Sequence, residues 1–145
     1  MEENLIKEKI QHFLDLRRSE EGTINAMMDM KILHYDIEKK RVTVSYPVHK
    51  WQLNPAKNMH GGMISTALDM SMGCAAYAFS DGTFTPTIQM AINFNKSIKE
   101  HDELIIEAVC DHAGSRMVQV RAIAKVKDCE DVVASANGSY AVNHG

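Results

Sequence analysis

The 145-residue chain has 45% hydrophobic and 24% charged residues, as an ordinary globular protein does, and its length predicts a single domain over residues 1–145. A formal net charge of -3 argues against nucleic acid as the main partner, because binding phosphates requires an excess of basic side chains. The acidic N-terminus predicts that the chain has no leader, and the lack of an uncharged apolar run of about 20 residues predicts no membrane span. The three scattered cysteines predict reduced thiols in a cytoplasmic protein.

The chain begins with a pattern typical of an amphipathic helix. This pattern ends near residues 19–22, and its apolar members at helical spacing are Leu5, Ile6, Ile10, Phe13 and Leu14. From about Met27 the pattern becomes that of a β-hairpin. Apolar and polar residues alternate over residues 42–46, and Pro47 ends the second strand.

A loop over residues 49–59 leads into the most apolar helix that the chain can form, predicted from about residue 61 to residue 80. Its apolar side chains leave little polar face, which is typical of a buried helix. Small residues in its second half, such as Gly73 and Ala76, would let strands approach closely.

Four long strands follow, near residues 87–95, 104–110, 118–126 and 132–142. Apolar and polar residues alternate along them, which indicates a sheet with one buried face. Short turns between consecutive strands predict an antiparallel meander in chain order. The central helix is the element available to cover the buried face. The predicted fold class is therefore α+β, with an antiparallel sheet wrapped around a long central helix and an additional N-terminal helix.

Asp69 is the one charged residue inside the central helix. A buried carboxylate is costly unless it is paired or hydrogen-bonded. The positive end of the helix dipole acts mainly within the first turn, so it supports Asp69 only weakly. In a structural interpretation, Asp69 faces a polar interface and accepts a hydrogen bond there. In a catalytic interpretation, it is the reacting carboxylate.

The segment His60-Gly61-Gly62 precedes the same helix. Glycine lets a ligand approach the backbone closely, and the first N–H groups of a helix have no partner within it. Such N–H groups can stabilise negative charge, including the oxyanion that forms in acyl transfer. The segment also fits a plain glycine-rich helix start, so it does not indicate a function by itself.

The spacing between Gly61 and Asp69 predicts an oligomer. The two residues are eight positions apart, which is about 12 Å along a helix that rises ~1.5 Å per residue. One carbonyl group cannot contact both positions of a single helix. If both serve the same substrate, two copies of the helix must meet antiparallel. Each shared site then combines Gly61 of one chain with Asp69 of the other.

Other kinds of chemistry lack their motifs in this sequence. The seven histidines and three cysteines form no HExxH or CxxC pattern, so we expect no metal. No GxSxG nucleophile motif is present, and Cys74 falls deep within the apolar helix, where a thiol is more often inert packing.

These motifs together resemble the hot-dog-fold thioesterases, specifically the phenylacetyl-CoA thioesterase (PaaI-like) branch. The resemblance covers about residues 46–142. It rests on a spaced set: Asn54, His60-Gly61-Gly62 and Leu68-Asp69, supported by Ile92-Asn93-Phe94 and the long closing strands.

The resemblance implies a hot-dog dimer, commonly paired into a tetramer, that hydrolyses an acyl-CoA thioester to a free acid and CoA without a metal or bound cofactor. It implies that Asp69 is the catalytic carboxylate, either as general base on water or as nucleophile. It also implies that Gly61 donates its backbone N–H to the thioester oxygen.

The resemblance assigns supporting roles to further residues. Asn54 would help to hold the attacking water or the thioester, and Thr87 would assist the carboxylate or the water. His60 would orient the loop through hydrogen bonds. Gly62 is a candidate substrate-binding residue, and Arg116 is a candidate for contact with a CoA phosphate.

Two alternatives on the same fold stay open. A non-catalytic acyl-CoA sensor would bind CoA esters without releasing a thiol, although such sensors usually carry a DNA-binding segment and the short first helix leaves no room for one. A hydroxyacyl-thioester dehydratase would use a histidine with a carboxylate, and His60 is the candidate for that role. The spacing of His60-Gly61-Gly62 to Asp69 fits the thioesterases better.

Overall fold

A computed structural model describes residues 2–145 of the chain. The strands are β1 (Lys31–Asp36), β2 (Arg41–Pro47), β3 (Thr87–Phe94), β4 (Glu103–Ala113), β5 (Met117–Val126) and β6 (Val132–Ala141). They form one antiparallel sheet in the order β1-β2-β4-β5-β6-β3. The helices are α1 (Glu3–Arg18), α2 (Ile24–Met27) and α3 (Gly61–Ala78), with a short 3₁₀ helix at Lys50–Gln52. The predicted fold class is confirmed.

The central helix α3 is buried as its composition predicts. It contacts α1 and every strand from β2 to β6. Most of its side chains after the first turn are buried, and the turn at Gly73 faces both β6 and α1. A Cβ atom at Gly73 would lie 3.6 Å from the Tyr140 ring and 3.7 Å from the Phe13 ring. These are ordinary contact distances, so the packing of β6 and α1 against this turn of α3 does not by itself require a glycine.

The N-terminal helix α1 packs on α3 through the apolar stripe that the sequence predicts. Its buried residues are Ile6, Ile10, Phe13 and Leu14. Lys9 extends the contact, because its ammonium group donates hydrogen bonds to the backbone oxygens of Ser80 (2.5 Å) and Gly82 (3.3 Å) just beyond α3. A helix of this length needs such tertiary packing to be stable.

The predicted meander is correct for β4, β5 and β6 but wrong for β3. Strand β3 pairs with β6, with Thr87 opposite Tyr140, and lies at the edge of the sheet. Alternation along a strand shows which face is buried but not which strand lies beside it. The connection from β3 to β4, residues 95–102, passes the start of α3 instead of forming a hairpin. There Ile98 is fully buried, and its carbonyl oxygen accepts a 2.6 Å hydrogen bond from the Met59 N–H.

The edge strand β3 exposes apolar side chains. Met90 and Ile92 pack against the core, whereas Ile88 and Phe94 are 53% and 54% exposed. The outer side of β3 pairs with no other strand within residues 2–145. An apolar edge of this kind is a surface to which another chain can add.

The helices within residues 2–145 include none with the length and apolar character needed to cross a membrane.

Candidate active site

The carboxylate of Asp69 lies about two turns into α3 and is held by two hydroxyl groups. Thr87 Oγ1 donates a hydrogen bond of 2.7 Å and the Tyr140 hydroxyl donates one of 2.8 Å, both to Asp69 Oδ1. Within residues 2–145 no donor contacts Asp69 Oδ2. The carboxylate is therefore oriented through one oxygen, and its other oxygen can accept a hydrogen bond from a bound molecule.

The two hydroxyl groups converge because β3 and β6 are paired. Thr87 is the first residue of β3 and lies opposite Tyr140 in the ladder. The preceding inward positions of β6 hold small residues, which leave room for α3: Ala134, Ala136 and Gly138. Tyr140 is the one large side chain in this row, and it reaches the carboxylate at the end of the strand.

The environment of Tyr140 keeps its hydroxyl group protonated. Burial raises the pKa of Tyr140, and the nearby charge of Asp69 raises it further. A tyrosine with a raised pKa remains neutral at physiological pH and acts as a hydrogen-bond donor to the carboxylate. Two neutral donors thus offset part of the cost of holding Asp69 in this half-buried position.

A cavity of about 170 Å³ opens beside this carboxylate. Residues distant in sequence line it, including Asp69 of α3, Tyr140 of β6, the segment Phe84-Thr85-Pro86-Thr87, and Phe13 and Arg17 of α1. The walls combine aromatic rings with a carboxylate and a guanidinium group. Such a mixture of apolar walls and a few polar groups is typical of a small-molecule site.

The start of α3 carries a backbone N–H group without a partner. The His60 Nδ1 atom accepts a 3.0 Å hydrogen bond from the Gly62 N–H and so caps the helix. The Gly61 N–H has no acceptor within residues 2–145. Of the two glycine N–H groups, that of Gly61 is therefore the one available to a ligand, at the positive end of the helix dipole.

Asn54 lies near Gly61 and stabilises the loop before α3. Its Oδ1 atom accepts a 3.1 Å hydrogen bond from the Asn58 N–H. Asn54, Asn58 and Gly61 line a second cavity of about 350 Å³, together with Phe94 and Lys96. This cavity shares no lining residue with the cavity beside Asp69. The structure thus brings Thr87 to Asp69 and Asn54 to Gly61, but within one chain it does not bring the two groups together.

The family of the chain follows from a comparison with known protein families. A family model described as the thioesterase superfamily matches residues 56–133, more than half of the chain. The chain belongs to the thioesterase superfamily. The match includes the segment from Gly61 to Asp69 and the whole of β3, whereas Asn54 and Tyr140 lie outside it.

Solved structures support the same assignment at the level of the fold. The *Escherichia coli* PaaI protein of the phenylacetic acid degradation operon is 17% identical, with a TM-score of 0.81 over 97% of each chain. A *Streptococcus mutans* protein, smu.793, bound to acetyl CoA is 28% identical, with a TM-score of 0.72 over 80% of this chain and 90% of that one. A hypothetical thioesterase from *Streptococcus pneumoniae* with coenzyme A is 25% identical, with a TM-score of 0.71 over 81% and 92%. No curated protein matches the chain. The fold is the hot-dog fold of the PaaI-like thioesterases.

Arg116 of this thioesterase-superfamily chain lies apart from both cavities. It is an exposed residue in the turn between β4 and β5, and its backbone oxygen accepts a 2.9 Å hydrogen bond from the Val142 N–H. It lines neither the Asp69 cavity nor the Gly61 cavity. Its contact with a CoA phosphate stays a prediction.

The sequence-based prediction of site residues lacks several members of the Asp69 cavity, Tyr140, Phe13 and Arg17 among them. Tyr140 occupies an inward position of β6, and the alternation of the strand alone predicts a core residue there. The sequence does offer one signal for a polar role: Tyr140 is a large residue in a row of small inward residues, and a buried hydroxyl group needs a hydrogen-bond partner. Phe13 fits the apolar stripe of α1, and Arg17 fits a charged helix end. Nothing in their spacing indicates that α1 reaches the cavity.

Cys74 and metal-binding clusters offer no further candidate chemistry within residues 2–145. Cys74 is fully buried in α3, and burial raises the pKa of its thiol to about 12, so the thiol is unreactive at neutral pH. Within residues 2–145 no group of three or more His, Cys, Asp or Glu side chains is placed to hold a metal ion.

Proposed function

We propose that this protein hydrolyses an acyl-CoA thioester to a carboxylic acid and CoA. The observation that carries the proposal is the carboxylate of Asp69, which lines a cavity. Thr87 and Tyr140 orient it through Oδ1, and within residues 2–145 no donor contacts Oδ2. Membership of the thioesterase superfamily supports this chemistry. The two relatives at 28% and 25% identity, solved with acetyl CoA and coenzyme A, support a CoA ester as the substrate.

In the proposed reaction, Asp69 removes a proton from a water molecule whose oxygen attacks the thioester carbonyl carbon. The carbonyl oxygen becomes an oxyanion, and the Gly61 N–H donates a hydrogen bond to it. The intermediate then collapses, the carbon–sulfur bond breaks, and the CoA thiolate takes up a proton. Alternatively, Asp69 attacks the carbon itself, the carbon–sulfur bond breaks and CoA leaves as the thiolate, which takes up a proton; water then hydrolyses the resulting anhydride to the carboxylic acid and free Asp69. Neither route needs a metal or a bound cofactor.

The proposed site is shared between two chains. Gly61 and Asp69 are about 12 Å apart along α3 and line separate cavities, so one thioester can reach both only if a second chain supplies one of them. The unpaired apolar edge of β3 starts at Thr87, beside Asp69, and ends at Phe94, beside Gly61. Two such edges in antiparallel contact would bring each Asp69 towards the partner's helix start. The proposed unit is therefore a dimer with two sites, which can pair into a tetramer.

The remaining residues take supporting roles in this proposal. Thr87 orients Asp69 or the attacking water. Asn54, supplied by the second chain, helps to hold the water or the thioester. His60 fixes the helix start by capping it, and this leaves the Gly61 N–H free. Gly62 lets the substrate approach the backbone closely, and Arg116 contacts a CoA phosphate.

The test is the turnover of Asp69 variants on a panel of acyl-CoA substrates, scored by thiol release. Asp69→Asn and Asp69→Ala should lower kcat about 10²- to 10⁴-fold, which is the usual contribution of a general base. Asp15→Asn removes an exposed carboxylate from α1 and should leave kcat unchanged. Near wild-type turnover by either Asp69 variant would refute the mechanism. Binding of CoA esters by the wild-type protein without any thiol release would favour the sensor instead.

A further inference from the structure

Arg17 is a cation on the wall of the cavity that contains Asp69. It lies near the end of α1 and is half-buried. The guanidinium carbon stacks over the Phe13 ring, 3.6 Å from its centroid. Arg17 also lines an adjoining smaller cavity of about 50 Å³, which includes Tyr77 and Phe84. Stacking on an aromatic ring fixes the plane of a guanidinium group and leaves its edge free to form hydrogen bonds.

The guanidinium group of Arg17 has no polar partner in the chain. Within residues 2–145 it makes no hydrogen bond, and no carboxylate oxygen lies within 4.0 Å of its nitrogens. Its neighbour Arg18, in contrast, donates to the backbone oxygen of Met30. The five N–H donors of this half-buried group are therefore available, and their fork geometry suits a ligand with anionic oxygens.

The charge of Arg17 persists in this position. Burial lowers the pKa of Arg17, while the surrounding acidic groups, Cys74 and Asp69 first among them, raise it. An arginine nevertheless remains protonated at physiological pH. A positive charge beside Asp69 also reduces the repulsion that a second anionic group would meet in this cavity.

We propose that Arg17 selects acyl groups that carry a carboxylate at the end opposite to the thioester, so that the preferred substrate is the CoA monoester of a short dicarboxylic acid. This inference rests on the proposed function, because it takes the Asp69 cavity as the place of the acyl group. The thioester carbon lies at Asp69, and Arg17, Phe13 and Phe84 form the wall that the acyl chain meets. The CoA phosphates are separated from the sulfur by the whole pantetheine arm, so they lie too far from Asp69 to be the partner of Arg17.

A binding experiment tests this inference without turnover. The probes are two stable thioethers of equal length, S-(4-carboxybutyl)-CoA and S-pentyl-CoA, together with free CoA, titrated by calorimetry. The wild-type protein should bind the carboxybutyl compound at least tenfold more tightly than the pentyl compound, because a charge-assisted hydrogen bond to a guanidinium group forms only with the carboxylate. Arg17→Gln should abolish the difference and leave the affinity for free CoA unchanged.

Two further variants complete the binding experiment. Arg17→Lys keeps the charge but not the planar fork of donors, and should retain only part of the preference. Lys7→Gln removes a cation from an exposed position on the same helix, outside both cavities, and should bind all three probes as the wild-type protein does. Equal binding of the two thioethers by the wild-type protein would overturn the inference. An equal loss of affinity for all three probes in Arg17→Gln would also overturn it, since the residue would then bind the CoA portion.

Turnover separates this inference from the proposed function. With glutaryl-CoA and pentanoyl-CoA as substrates, Arg17→Gln should lower kcat/KM for glutaryl-CoA at least tenfold more than for pentanoyl-CoA. An equal loss on both substrates would show that Arg17 supports Asp69 instead of the acyl group. If the thioethers show the preference but neither ester releases a thiol, the inference stands and the proposed hydrolysis fails.

Discussion

Asp69 is the one charged residue in α3, and two hydroxyl groups beside it explain why the half-buried carboxylate does not destabilise the helix. Both hydroxyl groups that contact it donate to the same oxygen, Oδ1. This arrangement satisfies the structural interpretation of Asp69, because the carboxylate has polar partners. It also fits the catalytic interpretation, because Asp69 lines the cavity and no donor within residues 2–145 contacts its Oδ2. The two interpretations predict different behaviour when one hydroxyl is removed.

Removing the Tyr140 hydroxyl tests whether it positions a reacting carboxylate. If Asp69 is the general base, Tyr140→Phe should lower kcat about 10- to 100-fold, since a hydrogen bond to a charged group contributes about 1.5–3 kcal/mol. KM should change little. Tyr35→Phe removes the hydroxyl of a half-buried tyrosine on β1, which lines neither the Asp69 nor the Gly61 cavity, and serves as the control. A Tyr140→Phe protein that melts at a lower temperature but keeps its full kcat would point to a purely structural role.

Substitution of Gly61 by proline removes a single backbone N–H group and tests its role as the oxyanion donor. Gly61→Pro should reduce turnover at least 10²-fold, as the loss of one oxyanion donor does in other enzymes. Proline is well tolerated at the first position of a helix, and the preceding His60 already has the extended conformation that proline requires (φ -62, ψ 138).

The matched control for that variant is Gly61→Ala, which keeps the N–H. An added Cβ atom would lie 3.6 Å from the Phe94 ring, an ordinary contact distance, so the variant should fold normally. Its turnover, measured by thiol release, should be far closer to the wild-type value than that of Gly61→Pro. Equal activity of the proline and alanine variants would show that the Gly61 N–H is not the oxyanion donor.

Strands β1 and β3 form the two edges of the sheet, and both expose a large apolar side chain. Leu33 on β1 is 52% exposed and Ile88 on β3 is 53% exposed. Only β3 runs between the two candidate half-sites, from Thr87 beside Asp69 to Phe94 beside Gly61. If β3 forms the dimer contact, the two edges should respond differently to the same substitution.

A lysine on each edge tests this asymmetry, because lysine on an edge strand opposes pairing with another chain. Ile88→Lys should shift the protein towards monomer in sedimentation velocity, and thiol release should fall in parallel. Leu33→Lys, the matched control, should change neither quantity. A monomeric Ile88→Lys protein with full turnover would contradict the shared site.

The molecule as a whole carries two candidate half-sites, and in the proposed function one thioester reaches both only across a dimer. The Asp69 cavity and the Gly61 cavity have no lining residue in common. An isologous dimer places the same pair of surfaces against each other twice, so every dimer would contain two complete sites. This arrangement makes a specific prediction for mixed dimers.

Two inactive variants should restore activity when they are combined. Co-expression of differently tagged Asp69→Asn and Gly61→Pro chains, purified through both tags, gives a mixed dimer. One of its sites contains the intact Gly61 of the first chain and the intact Asp69 of the second, so turnover should reach about half of the wild-type value. Each variant alone should stay inactive. An inactive mixed dimer of confirmed composition would indicate that each chain must supply both residues itself.

The amino-acid sequence by itself determined the elements that depend on local interactions. The periodicity of α1 and α3 predicts both helices because side chains three and four positions apart share one face. The alternation and turn residues after α3 predict four strands for the same reason. The position of Asp69 in an apolar helix predicts a candidate site, and its distance from Gly61 predicts a second chain if both residues serve one substrate.

The tertiary structure alone decided the position of β3 and the composition of the wall around Asp69. Strand order depends on hydrogen bonds between residues far apart in sequence, and alternation is the same whichever strand lies alongside. The pairing of Thr87 with Tyr140 brings a second hydroxyl to the carboxylate, although Tyr140 has the pattern of a core residue. Likewise, the sequence pattern of Phe13 and Arg17 is that of an ordinary amphipathic helix, and only the packing of α1 on α3 places them at the cavity. Local patterns cannot specify such contacts, because they arise only when the elements pack together.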